Sequence, residues 1–287
     1  MVGGAGFLGR HLAAELARRM VRVTVPTRRR ERAKHLILLP TVDVVEADVN
    51  EPGVLERLAR GRDALINLVG VLHGPDFQRP HVELPLAMVS ACRASGVRRL
   101  LHVSALGASP EAPSEYLRSK ARGEQALLAA EDLEVTVFRP SVVFGPEDRF
   151  LNTFARLARF LPGLALACPQ ARFQPVYVGD VAQAMADALE AGAARGMVYE
   201  LCGPRVYTLK ELVEYVCAAT GRRRLVVGLP PALSYLQARL LEYSPGPLMT
   251  RDNYYSMQVP NVCPEGCTLP FGLEAHALEA IAPAYLQ

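Results

Sequence analysis

A tyrosine and a lysine four positions apart, Tyr116 and Lys120, are the residues of this 287-residue chain whose spacing most clearly indicates chemistry. Residues at i and i+4 share one face of a helix, so an ammonium there can lower the pKa of a phenol, which ordinarily lies near 10. A phenol tuned in this way acts as a general acid or base on an alcohol or a carbonyl. Ser104 ends an apolar run and can hold the substrate oxygen. We predict these three as catalytic residues; the alternative is a surface helix on which Lys120 is a solvated charge.

The start of the chain is rich in glycine and fits both G-x-x-G-x-x-G and G-x-G-x-x-G. Glycine permits a tight turn, a close approach of the backbone to a pyrophosphate, and close packing of the following helix, whose free N–H groups face the phosphates. Only Met1 and Val2 precede this loop, where a strand of about five residues is expected. The predicted dinucleotide-binding residues here are Gly3, Gly4, Gly6, Phe7, Leu8 and Gly9.

Thr27, Arg28 and Arg29 follow the second predicted strand, where an NAD site usually has an acidic residue for the ribose 2′-hydroxyl. A guanidinium instead offers a fork of donors that suits a phosphate. We therefore predict a 2′-phosphate site and a preference for NADP(H) over NAD(H). The alternative is that the run Arg28–Arg30 is a solvated start of a helix.

Further predicted cofactor residues lie where the next strands end, because ligands bind at the carboxyl edge of an open parallel sheet. Asp48 can accept a hydrogen bond from the adenine amino group or cap a helix that starts near Pro52, and both interpretations stay open. The predicted edge residues are Asp48, Val49, Asn67, Val69 and Gly70.

Short apolar runs alternate with helical stretches through the first two-thirds of the chain, which predicts a doubly wound parallel sheet, the Rossmann fold, in the α/β class. The predicted strands are 21–25, 42–47, 64–69, 100–104, 134–139, 175–178 and 197–201, and the predicted helices are 8–19, 52–60, 81–95, 119–130, 179–191, 208–219, 232–242 and 273–281. Thr208 and Glu211 form a capping box, and Asp180 is expected to cap its helix. We predict an NADP(H)-binding domain at 1–145. Residues 146–287 are expected to supply the remaining sheet elements and a small mixed C-terminal subdomain that forms a substrate lid.

Composition excludes several classes of protein. With 50% hydrophobic and 21% charged residues and a formal charge of +3, the chain is neither disordered nor a general nucleic-acid binder. Six scattered cysteines give no zinc pattern, so no metal is expected and the thiols are expected to be reduced. No apolar run is long enough to span a bilayer, and no signal peptide is recognised. We expect a cytoplasmic protein and leave open a peripheral position at the inner face of the cytoplasmic membrane.

The chain resembles the extended and atypical branch of the short-chain dehydrogenase/reductases. The resemblance rests on the glycine loop, Asp48-Val49, the Ser104, Tyr116 and Lys120 set, and the stretches 138–146 and 175–182. It implies that Lys120 also holds the nicotinamide ribose and that Pro140, Val142 and Val143 lie beside the nicotinamide. The stretches 104–108, 114–124, 246–253 and 271–274 are similar to the NAD(P)H-binding accessory subunits of respiratory complex I and their bacterial relatives, which implies tightly held NADPH and complex I as a partner.

Three hypotheses for function follow. The first is a reductase or dehydrogenase that acts on a carbonyl or quinone-related small molecule through Ser104, Tyr116 and Lys120. The second is a non-catalytic accessory or assembly subunit of complex I in which NADPH is a structural ligand. The third is a nucleotide-sugar epimerase or dehydratase, which the apolar C-terminal region disfavours.

Overall fold

The computed structural model describes residues 1–74, 76–191, 196–244 and 246–286. Its strands are β1 Val23–Thr27, β2 Val42–Glu46, β3 Ala64–Asn67, β4 Arg99–Val103, β5 Glu134–Pro140, β6 Val143–Phe144, β7 Gly163–Leu166, β8 Arg172–Phe173, β9 Val176–Tyr177, β10 Met197–Leu201, β11 Tyr207–Thr208 and β12 Leu225–Gly228. Its α-helices are α1 Phe7–Arg18, α2 Val54–Ala59, α3 Leu84–Ser95, α4 Glu115–Leu128, α5 Leu151–Phe160, α6 Val178–Glu190, α7 Leu209–Ala219, α8 Pro231–Leu241, α9 Arg251–Ser256 and α10 Leu278–Ile281. A π-helical turn, Arg79–Glu83, leads into α3, and a 3-10 helix covers Arg30–Leu36.

The central sheet is parallel, with β3, β4, β5 and β10 in the order β10-β5-β4-β3. The first two residues extend it. The Val2 N–H donates to the Ile66 carbonyl at 2.8 Å, and the Met1 amine donates to the Thr24 carbonyl at 2.8 Å. Residues 1–2 therefore lie between β3 and the parallel pair β1–β2. The predicted doubly wound parallel sheet is confirmed.

Helices cover both faces of this sheet. One face packs Leu101 and Phe138 against Leu12 and Met185 from α1 and α6. The other face packs Leu100 and its neighbours against α3 and α4. Adjacent residues of β4 enter opposite cores, so both Leu100 and Leu101 are apolar, and all five residues of the strand are buried, including Arg99 and His102.

The second half of the chain contributes to both parts of the molecule. β10 and α6 belong to the central sheet layers. The two-stranded pairs β7–β12 and β8–β11 lie with α5 and α7, β9 of the β6–β9 pair contacts α6 and α10, and α8 packs against α9. The division at residue 145 stays a prediction. In the part of the chain that the structure describes, no helix is both long and apolar enough to cross a membrane.

Two predictions near the C-terminus are wrong, for one reason. Asp180 does not cap α6; its carboxylate accepts from the His276 N–H at 2.9 Å and contacts the His276 ring at 2.6 Å. This contact holds the chain before α10 in an extended path, so the predicted helix 273–281 shrinks to Leu278–Ile281. The capping box of Thr208 and Glu211 is confirmed.

The expectation that all six thiols are reduced is also wrong. Cys202 and Cys263 form a disulfide with their Cα atoms 6.1 Å apart, whereas Cys267 is an exposed free thiol. A separation of 61 positions gives no local signal for this pair. The bond joins the end of β10 to the segment that follows α9.

Candidate active site

The glycine loop has no room for side chains. A β-carbon on Gly9 would lie 2.4 Å from the Gly4 carbonyl oxygen, and one on Gly4 would lie 2.8 Å from the Val25 side chain. Gly3 has φ +80°, which favours glycine. Glycine is required at these positions because the turn packs closely against α1 and β1.

The N-terminus of α1 can take an anion. Its Gly6 cap provides no side chain, and the first turn contains no acidic residue. The Arg10 N–H is the first to bond within the helix, to the Gly6 carbonyl, so the N–H groups of Phe7, Leu8 and Gly9 remain at the positive end of the dipole. This cradle fits a pyrophosphate.

Arg28 and Arg29 are exposed just after β1, and no described carboxylate lies within ion-pair distance of either one. The Thr27 hydroxyl donates to the Arg29 carbonyl at 3.1 Å and so holds this turn. The run also leads into a helix, as in the alternative interpretation: a 3-10 helix begins at Arg30 with Arg29 as its cap, and all three arginines are exposed. Both guanidiniums are therefore available to a phosphate.

Asp48 does not cap a helix, because α2 starts at Val54 after Gly53. Its carboxylate accepts from the Asn50 N–H at 3.0 Å and from the Asn50 amide at 2.6 Å. The bond from the Asn50 N–H is the main reason that the pKa of Asp48 lies below its usual value. The contact of Asp48 with adenine stays a prediction. The assignment of the half-buried Val49 to the cofactor site also stays a prediction.

Asn67 is buried and committed to the protein. Its Oδ1 accepts from the Val69 N–H at 3.1 Å, and its amide lies 3.1 Å from the His102 ring. The Asn67 side chain therefore holds the backbone at this edge of the sheet through contacts within the protein. Val69 is half-buried and Gly70 is exposed.

Lys120 is a buried ammonium at the carboxyl ends of β3 and β4. It is 2% exposed, and its Nζ donates to the Val103 carbonyl at 2.7 Å and to the Val69 carbonyl at 3.4 Å. Burial lowers the pKa of Lys120 to about 8. Two of its three N–H groups are thus engaged, one of them at the carbonyl of the residue before Ser104.

Ser104 and Tyr116 carry hydroxyl groups without protein partners. The Ser104 Oγ is buried and unpaired, and no described group bonds to the Tyr116 hydroxyl. Burial raises the pKa of Tyr116 to about 12. The prediction that Lys120 lowers this pKa is wrong, because the ammonium is directed at two backbone carbonyls. Tyr116 therefore keeps its proton at neutral pH and can donate it.

His81, which has no metal-ligand spacing in the sequence, holds helix α4 through Ser119. The Val71 N–H donates to its Nε2 at 3.0 Å, so Nδ1 carries the proton and donates to the Ser119 Oγ at 2.8 Å. Ser119 in turn donates to the Tyr116 carbonyl at 2.8 Å. Burial, followed by the charge of Lys120, lowers the pKa of His81 to about 3.

Asp252 of α9 holds the start of α4. Its carboxylate accepts from the Glu115 N–H at 2.7 Å and from the Tyr116 N–H at 3.1 Å. Sequence reasoning did not find this residue, although Thr250 and Asn253 form a capping box that could have located α9.

Asn261 holds the segment that the resemblance places beside the nicotinamide. Its Oδ1 accepts from the Ser141 hydroxyl at 2.6 Å and from the Val142 N–H at 2.8 Å. The Pro140 carbonyl accepts from the Leu106 N–H at 3.0 Å, and Val143 pairs with Val176 of β9. Residues 140–143 are thus fixed from three sides, and nothing in their sequence pointed to Asn261.

Among the described residues, no cluster of three His, Cys, Asp or Glu side chains could hold a metal ion. The site is built from glycines, hydroxyls, one ammonium and exposed guanidiniums.

Residues 1–202 match the family described as the NAD dependent epimerase/dehydratase family. The chain belongs to this family. Together with the glycine loop and the free N-terminus of α1, membership supports an NAD(P)-binding site.

Two relatives extend the comparison. The chain is 34% identical over 272 residues to mouse mitochondrial NADH dehydrogenase (ubiquinone) 1 alpha subcomplex subunit 9, covering 91% of this chain and 72% of that protein. It is 34% identical over 185 residues to the ceramide reductase of Caulobacter vibrioides, covering 63% of this chain and 57% of that protein. The fold also matches that of dTDP-glucose 4,6-dehydratase from Streptomyces venezuelae with NAD bound, with a TM-score of 0.70, 22% identity, and coverage of 89% and 95% of the two chains.

Acid should destabilise the protein through His81. Below its ordinary pKa of 6.5 the unfolded chain binds a proton that folded His81 refuses until about pH 3. The free energy of unfolding therefore falls as pH is lowered through this window, by at most about 1.4 kcal/mol per pH unit for one proton. Urea unfolding of wild type and His81→Gln between pH 7 and pH 4 measures the slopes.

We expect a shallower slope for His81→Gln than for wild type. Leu38→Gln, which changes an exposed side chain without a titratable group, is the control and should keep the wild-type slope. Equal slopes for His81→Gln and wild type would contradict the neutral, buried state of His81.

Proposed function

We propose that this protein is an NADP(H)-preferring oxidoreductase that reduces a carbonyl or quinone-related compound. The observation that carries the proposal is that the hydroxyls of Ser104 and Tyr116 have no hydrogen-bond partner among the described residues, while the buried ammonium of Lys120 bonds to the carbonyl of Val103, the residue before Ser104. A buried hydroxyl without a partner costs about 1–3 kcal/mol, and a substrate oxygen would satisfy it.

Each side chain has a role in this reaction. A bound nicotinamide dinucleotide supplies the hydride. Ser104 donates a hydrogen bond to the substrate oxygen, and Tyr116 gives its proton to that oxygen as negative charge develops. The high pKa of Tyr116 keeps the proton in place until then. Lys120 holds the cofactor ribose with its third N–H and keeps the floor of the site fixed.

The cofactor contacts are proposed from the same geometry. The N–H groups of α1 hold the pyrophosphate, and Arg28 and Arg29 hold the 2′-phosphate. The proposed cofactor residues are Gly3, Gly4, Gly6, Phe7, Leu8, Gly9, Thr27, Arg28, Arg29, Asp48, Val49, Asn67, Val69, Gly70, Lys120, Pro140, Val142 and Val143, with Asn67 acting through the backbone of the edge.

The second candidate is a structural role in complex I, favoured by the similarity to mouse subunit 9 along 91% of this chain. In that case NADPH stabilises the fold, and the partner is the respiratory complex. We propose a cytoplasmic location for the independent reductase, and a peripheral position at the inner face of the cytoplasmic membrane for the accessory subunit. A nucleotide-sugar substrate is supported by membership of the epimerase/dehydratase family and by fold similarity at 22% identity, and we rank it third because the C-terminal region is apolar.

Loss of the Tyr116 hydroxyl should abolish turnover and preserve cofactor binding. With ubiquinone-1 and a medium-chain 3-oxo ester as probes, we expect Tyr116→Phe to lower kcat by about 100-fold or more and to leave the Kd for NADPH unchanged. NADPH oxidation and calorimetry measure the two quantities. Tyr199→Phe, a change in β10 away from the site, is the control. Unchanged turnover in Tyr116→Phe would refute the catalytic assignment.

Charge reversal at Arg28 should change the cofactor preference. We expect Arg28→Glu to weaken NADPH binding about tenfold or more, because it removes a charge-assisted contact with the 2′-phosphate, and to leave NADH binding nearly unchanged. Arg32→Glu is the matched control. If both dinucleotides bind to wild type equally well, the NADP(H) preference is wrong.

A native gel of gently solubilised membranes separates the two candidates. Staining for NADH dehydrogenase activity and probing for this chain should show a small free species if the protein is an independent reductase. Co-migration with the active complex would support the accessory role instead.

A further inference from the structure

The outer face of α8 is an exposed apolar stripe. Leu233, Leu236 and Leu240 follow one another at intervals of three or four residues and so share one side of the helix, and Tyr243 lies in the turn that follows it. Their exposed fractions are 48%, 47%, 65% and 76%. A row of this kind in water is unfavourable unless another apolar phase covers it.

Polar side chains of α8 outside the stripe hold the helix so that the stripe faces outward. The Ser234 Oγ accepts from the Cys168 N–H at 3.1 Å and donates to the Leu229 carbonyl at 3.1 Å. The Gln237 side chain donates to the Ala165 carbonyl at 2.9 Å. Three polar contacts therefore set the rotation of α8, and the leucines cannot turn inward without breaking them.

A second apolar surface adjoins the stripe. In the β7–β12 pair, Val227 lies beside Ala165 and Leu225 beside Gly163, and Leu225 and Val227 are 72% and 48% exposed. Phe160, which ends α5 just before β7, is 74% exposed. Because Gln237 bonds to Ala165, these side chains continue the stripe. We call the combined area the α8 surface.

The charge around the α8 surface is of one sign. All of its side chains except Tyr243 lie in residues 149–179 and 215–241, which together contain eight arginines and no aspartate or glutamate. The nearest acidic residues outside the second stretch, Glu214 and Glu242, pair with Lys210 and Arg251. The four exposed arginines in these stretches that adjoin the apolar side chains are Arg156, Arg159, Arg223 and Arg239.

We propose that the α8 surface binds an anionic lipid bilayer, with α8 lying in the plane of the interface. An apolar helix face flanked by arginines is the pattern of an interfacial helix: the leucines enter the acyl boundary while the guanidiniums bind lipid phosphates. The absence of acidic side chains from both stretches matches a negatively charged sheet of headgroups. Binding in this way requires no turnover, so it is independent of the catalytic proposal.

The α8 surface is connected to the candidate active site through one helix. The Tyr235 ring of α8 lies 5.4 Å from the Tyr254 ring of α9, and Asp252 of α9 holds the start of α4 at Tyr116. Where the proposed reductase function holds, the bilayer position narrows the substrate to carbonyl compounds that partition into lipid.

Sedimentation of the full chain with vesicles tests the proposal. The probes are vesicles of phosphatidylcholine alone and of phosphatidylcholine with phosphatidylglycerol. We expect binding to the anionic vesicles that weakens with salt. The double variant Leu236→Gln with Leu240→Gln should lower the affinity for anionic vesicles by about tenfold or more. The double variant Arg223→Glu with Arg239→Glu should lower it by a similar factor.

Matched controls remove the same chemistry elsewhere. Leu38→Gln with Leu72→Gln changes two other exposed leucines, and Arg57→Glu with Arg60→Glu makes the same change of charge; both should bind as wild type. Circular dichroism and NADPH binding check that each variant is folded. Wild-type binding by the α8 variants would overturn the proposal. Failure of the wild-type protein to bind anionic vesicles would also overturn it. That result is expected if the α8 surface instead mediates a dimer or binds another protein.

Discussion

The candidate active site depends on how helix α4 is held. Three contacts from distant parts of the chain fix it: Asp252 caps its first N–H groups, His81 binds Ser119 in its second turn, and Lys120 reaches the ends of β3 and β4. Hydrogen bonds to a charged group contribute about 1.5–3 kcal/mol, so the Asp252 contacts are among the stronger ones. Since Tyr116 lies between these anchors, its position is set by all three elements rather than by α4 alone.

These anchors carry an energetic cost. Burial disfavours the charged form of Lys120 and lowers its pKa to about 8, and His81 is buried as a neutral ring under the same ammonium. A methionine in place of the lysine would avoid the desolvation but leave the Val103 and Val69 carbonyls without a donor. The arrangement therefore lowers the stability of the folded protein. We expect this cost to be offset when ligands bond to the third N–H of the ammonium and to the Ser104 hydroxyl.

Local patterns in the sequence predicted the local parts of this structure. The apolar runs gave the strands of the central sheet because β4 and its neighbours are covered on both faces, and the capping box at Thr208 needs only four consecutive residues. The errors come from contacts across the chain. Asp180 binds His276 instead of its own helix, and Cys202 pairs with Cys263. The pKa of Tyr116 was mispredicted because i,i+4 spacing places two side chains on one face but does not say where a long lysine chain ends.

The C-terminal part of the chain is hard to interpret from sequence because its contacts with the candidate site are long-range. Asp252 and Asn261 both come from the segment that follows α8, and they set the first turn of α4 and the Ser141–Val142 backbone. The glycine loop packs against Val25 of β1 and against Leu68 and Val69 after β3 instead. A change in the segment that contains Asp252 and Asn261 would therefore move Tyr116 and residues 140–143 together while leaving the glycine loop unchanged. The phosphate end of the proposed cofactor site is consequently separable from its nicotinamide end, which shares its supports with Tyr116, and this is why family membership says more about the dinucleotide than about the substrate.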